Sequence, residues 1–163
     1  MHARALVAGL VSGLLFAAAA AQAEDPPSPP PADTIFARKT LMNTIGSSMD
    51  EIEAMLAPGA KMESAEAREH ADLISVLLLG FPHLFPPATN QWKEGAERDA
   101  AADTYASPEL WRQFPDFYAR ANAASKIAFE ASRAANRADF QARIGELRAA
   151  CNGCHAAYQK SGQ

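Results

Sequence analysis

An all-α fold, and within that class an antiparallel four-helix bundle, is what the chain predicts, and three observations carry the expectation. The 163 residues are 48% hydrophobic and rich in Ala, with few of the Val, Thr and Tyr clusters that mark strands. Four stretches place apolar residues at spacings of three and four, the period of a helix with one buried face. Two short connections and one long one separate them, as in a bundle of antiparallel neighbours. A chain of this length makes one domain with a single sizeable core.

Met1, His2, Ala3 and Arg4 precede an apolar run from Leu6 to Phe16, an Ala tract and Ala21-Gln22-Ala23. Residues 1–23 are therefore expected to be a secretory signal peptide cleaved after Ala23, because the run is short for a bilayer span and ends in an A-x-A site. Residues 24–32 are Pro-rich and read as an extended tail. A folded domain over 33–163 follows, with no membrane anchor once the signal is cleaved.

Asp33 is placed as the N-cap of the first helix, whose stripe is Ile35, Met42, Ile45, Met49, Ile52 and Leu56, up to Pro58-Gly59. Met55 is expected on the exposed side. Ser64 is placed as the cap of a second helix with an inner face of Ala67, Ala71, Ile74, Leu78 and Phe81. From Pro82 to Ser107 the chain is irregular, and a loop this long in a compact domain covers or does something; here it brings His83, Phe85 and Trp92 to one end of the bundle. Ser107-Pro108-Glu109 opens the third helix, with Ser as cap and Pro at the first helical position. Pro115 either kinks that helix or splits off its first turn from a run reaching Ala135. After the connection Asn136–Asp139, the last helix carries Phe140, Ile144, Leu147, Cys151, Cys154 and Tyr158 on one stripe.

The two cysteines of the chain stand in Cys151-Asn152-Gly153-Cys154-His155, the C-x-x-C-H pattern of haem c attachment. On a helix the two thiols lie close enough to add to the two vinyl groups of one porphyrin, and the following His reaches the iron as an axial ligand. A redox dithiol would expect a βαβ context, and a zinc site would need further Cys or His at recognisable spacing. Two buried structural cysteines beside a helical His are the third competitor. Export also suits haem attachment.

These features resemble the cytochrome c′ family, the class II c-type cytochromes. The likeness spans nearly all of residues 34–160 and includes Ala37-Arg38-Lys39-Thr40-Leu41-Met42, Leu84-Phe85-Pro86, Ser107-Pro108-Glu109-Leu110-Trp111 and the ending Cys-x-x-Cys-His-x-x-Tyr. The resemblance implies a distal residue on the first helix, at Met42. It points to the low-spin branch, in which Met sulfur and His155 both bind iron, through the pattern Leu41-Met42-x-x-x-Gly46-x-x-Met49. By periodicity alone a Met on this stripe, Met42 included, is more often core filler than ligand. Arg38, one turn earlier, is a candidate partner for a haem propionate, or else a solvated surface charge. His70 and His83 are the alternative iron ligands and fit the family pattern less well. Where many members carry Arg or Lys after the motif's Tyr, this chain has Gln159 and then Lys160.

The expected function is that of a periplasmic one-electron carrier with a single haem c, docking redox partner proteins. The alternative is a high-spin, five-coordinate protein that binds nitric oxide or carbon monoxide. An enzyme such as a peroxidase would need a distal acid–base pair that the sequence lacks. Without residues 1–23, 14 basic side chains face 19 acidic ones, a net charge of −5 with His neutral, which argues against nucleic acid as a partner. The family resemblance also implies a homodimer through the first two helices.

Overall fold

A computed structural model describes residues 28–62, 64–95 and 103–160. The expected signal peptide, residues 1–23, lies outside the described residues, as do residues 24–27 of the tail. Among the described residues five α-helices follow in chain order: α1 (Pro31–Leu56), α2 (Ser64–Gly80), the single turn α3 (Glu109–Arg112), α4 (Phe114–Ser132) and α5 (Arg137–Tyr158). Two 3₁₀ turns, Phe81–Leu84 and Pro87–Thr89, lie in the long connection. Among the described residues no helix is long and apolar enough to cross a membrane. α1, α2, α4 and α5 form the expected four-helix bundle.

Local chemistry moves several boundaries. α1 starts at Pro31, whose fixed φ suits a first helical position, so Asp33 sits inside the first turn and does not cap it. The helix stops where Ala57 is forced extended ahead of Pro58, and Gly59 supplies the left-handed turn at φ +79°. Ser64 is itself the first residue of α2. Pro115 splits the predicted third helix: Gln113 leaves the helical region at φ −115°, ψ 34°, and Pro115 joins the first turn of α4, where a missing N–H costs nothing. α4 ends at Ser132, short of Ala135. α5 starts at Arg137, ahead of the expected connection's end, because the Asn136 side chain caps it by accepting from the Asp139 N–H at 2.9 Å.

The helices pack in the ring order α1–α2–α4–α5. The α2–α4 seam is closed by small side chains, with Ala67, Ala71 and Ser75 facing Ala124, Ser125, Ala128 and Ala131, all buried. Ser125 Oγ donates to the Ser75 carbonyl at 2.8 Å within it. Two apolar clusters result. One runs along the bundle through Ile45, Met49, Ile52, Ile74, Leu78, Phe140, Ile144 and Leu147. The other caps one end with Phe81, Phe85, Leu110, Phe117 and Tyr158. Met55, expected exposed, is partly buried against the first cluster. α1 and α5, which would close the ring, stand apart, and the space between them holds the candidate site.

Candidate haem site

Cys151, Cys154 and His155 share a face of α5, as positions three and four apart must on a helix. Both cysteines are free and half-buried, and burial pushes both thiols above the ordinary range, so they are protonated at neutral pH. Desolvation, with Arg148 adding to it, lowers His155 below the usual imidazole range. Its ring is then neutral at neutral pH, the form that ligates a metal.

Two cavities open along the gap. The larger, about 300 Å³, is lined by Arg38, Met42, Phe81, Phe85, Leu110, Phe117, Cys154, His155 and Tyr158 among others. A second, about 130 Å³, lies between Met42, Ile45, Gly46 and Met49 of α1 and Leu147, Arg148, Cys151, Cys154 and His155 of α5. Met42, Cys154 and His155 line both, so the two are neighbouring parts of one cleft. Gly46 leaves the α1 wall flat: a Cβ there would meet nothing within 4 Å and would enter the cleft.

Arg38 is 3% exposed. Its Nη1 donates to Thr89 Oγ1 at 2.9 Å, and its Nη2 to the Thr89 carbonyl at 3.2 Å and to Thr104 Oγ1 at 2.5 Å. The guanidinium carbon lies 4.7 Å from the centre of the Phe85 ring and 5.6 Å from that of Trp111. Trp111 in turn donates Nε1–H to the Phe85 carbonyl at 3.0 Å. Every one of these partners is neutral. Burial pushes Arg38 down to about 10, leaving it charged at neutral pH, and a buried cation without an anion is costly. Two thiols on one helix face, an imidazole beside them, a flat-walled cleft and a buried cation with no acidic partner among the described residues fit a covalently held haem with its carboxylates.

The structure thus brings Cys151, Cys154, His155, Met42 and Arg38 to one cleft. His70 and His83 line neither cavity; His83 is exposed beside the Tyr118 ring. Phe85 lines the cleft, whereas Trp92 stacks under Lys160. Sequence reasoning missed Arg120 and Arg148, which flank the cysteines in the second cavity. Arg148 was findable, one turn before Cys151 on the same stripe. Arg120 belongs to another helix and carried no local signal. Its Nε pairs with Asp116 at 2.6 Å, and Asp116 also accepts from the Tyr158 hydroxyl at 2.5 Å. Tyr158 and then Arg120 hold the Asp116 carboxyl below the usual range.

A family model described as Cytochrome C′ matches residues 33–159. The cytochrome c′ of Rubrivivax gelatinosus is 26% identical over 133 residues, covering 80% of this chain and 96% of that protein. A cytochrome c′ described by an unusual ligand-controlled dimer dissociation superimposes with a TM-score of 0.69 at 21% identity, over 83% of this chain and 100% of that one. The nitric oxide complex of a cytochrome c′ variant from Alcaligenes xylosoxidans does so at 0.67 and 20%, over 80% and 97%.

Proposed function

The chain belongs to the cytochrome c′ family and holds one covalent haem c, and from that premise we propose that it binds small diatomic gases, nitric oxide or carbon monoxide, at an open axial position. Four elements of the cleft support the reading. Cys151 and Cys154 would hold the group through thioether bonds, and His155 of the same helix would supply a nitrogen ligand to its iron. Arg38 would pair with a haem propionate, an anion that none of its described partners supplies. Met42, Phe81, Phe85 and Phe117 give the cleft an apolar wall. The haem, when bound, contributes an iron with affinity for such gases and a one-electron couple.

The carrying observation is that relatives along the whole domain are cytochromes c′, one of them solved with nitric oxide. The second reading is the six-coordinate electron carrier, favoured by the placement of Met42, whose thioether lines both cavities with His155. Such a carrier would dock redox partner proteins at the cleft mouth. Export to the periplasm by the segment 1–23 completes either reading. So does a homodimer, for which Phe36 of α1 and Leu73, Val76 and Leu79 of α2 leave a large apolar surface exposed.

The absorption spectrum of the purified haem protein decides between them. A high-spin spectrum and immediate carbon monoxide binding are expected. A ferric Met–iron charge-transfer band, sharp ferrous α and β bands and no carbon monoxide binding until Met42→Ala opens the site would hand the function to the carrier reading.

A further inference from the structure

α1 and α5 are braced on either side of the Met42–His155 level. At one end Arg38, one turn before Met42, bonds Thr104 of the loop, and the loop is tied to the end of α5 where the Ser107 N–H donates to the Tyr158 carbonyl at 2.8 Å. At the other end Arg148 of α5 reaches across the open seam. Its Nε and Nη2 meet Glu53 Oε1 and Oε2 of α1 at 2.7 and 2.8 Å, with Asp50 Oδ1 3.8 Å from Nη2. The two-point fork gives this pair a defined geometry that a single contact would lack. Arg148 also lines the cavity shared by Met42 and His155.

We propose that the Arg148–Glu53 ion pair is a clasp that sets the width of the α1–α5 cleft and thereby how near Met42 stands to the haem iron. Arg148 and Glu53 are positioning residues, and the proposal rests on the haem reading of the cleft. Side chains 37% and 44% exposed make a pair of modest strength that salt screens. The clasp therefore biases the spacing of two rigid helices and does not lock it. Released, it lets the seam widen, Met42 recede and small ligands enter faster.

The test compares the haem-loaded protein with Glu53→Gln, Arg148→Gln and the charge-swapped double variant Glu53→Arg/Arg148→Glu. At low salt each single variant should bind carbon monoxide about three- to fivefold faster, the range an ion pair of this kind supports. The swap should restore the parent rate, and raising salt to about 1 M should bring the parent toward the single variants. In a Met42→Ala background the difference should vanish. Single variants that bind at the parent rate overturn the proposal even where their melting temperatures fall, since a merely structural pair would move stability alone. An effect that survives in Met42→Ala also overturns it. A parent protein that is six-coordinate removes the gas-binding reading but leaves the clasp readable, as a high-spin fraction appearing only in the single variants. A chain carrying no haem removes both.

Discussion

The two seams of the bundle are built on opposite principles. Between α2 and α4, Ala and Ser side chains let the backbones close, and the one buried polar pair, Ser75 with Ser125, is hydrogen-bonded. Between α1 and α5, Met42, Met49, Cys151, Cys154 and His155 stand on either side of a cleft that protein atoms do not fill. A seam of small residues is complete in itself, because dispersion and burial are realised by the chain alone. The open seam leaves those contacts unmade by the chain itself, and on the proposed reading a bound haem would make them, which would join stability and function there.

The largest break in this contrast comes from Cys151→Ala/Cys154→Ala. It should leave no haem that survives denaturation, with a folded remainder that melts at lower temperature, as expected when a ligand bound only to the native state is lost; a denaturing gel stained for haem, with a thermal melt, checks it. Undiminished haem retention would mean the open seam does not depend on the thioethers. Ala128→Leu sharpens the contrast from the other side. Ala128 is fully buried in the closed seam, so overpacking should cost about 1–3 kcal/mol and lower the melting midpoint by about 3–10 °C, while the haem spectrum stays unchanged.

The smallest effect lies at the junction of the two regions. The Tyr158 hydroxyl depresses the Asp116 carboxyl, and a carboxylate depressed in the folded state stabilises above its unfolded value, about 4, and loses that contribution as pH falls through the folded one. Tyr158→Phe brings the folded value back toward the unfolded one. The melting temperature of the variant should therefore fall less steeply below about pH 4 than that of the parent; equal slopes would assign the depression to Arg120 alone.

What could be read along the chain was what neighbours within a helix decide. The stripe from Phe140 to Tyr158 and the inner face from Ala67 to Phe81 were legible because helical period and burial coincide. The C-x-x-C-H motif was legible because its geometry is local. The split at Pro115 stayed ambiguous, since proline ends or kinks a helix by similar local means. Asn136 was read as connection although its capping geometry with Asp139 is also local.

Taken by itself, the sequence determined the all-helical class and named Cys151, Cys154, His155 and Met42 as the candidate haem residues. Tertiary structure alone decided what surrounds them. Arg38 read as a propionate partner or a surface charge until its contacts with Thr104, 66 residues away, proved it buried among neutral groups. Arg148 meets Glu53 across 95 residues. Spacing along a helix fixes which side chains share a face, but which charges meet across a gap depends on how four rods pack, and no local pattern encodes that distance.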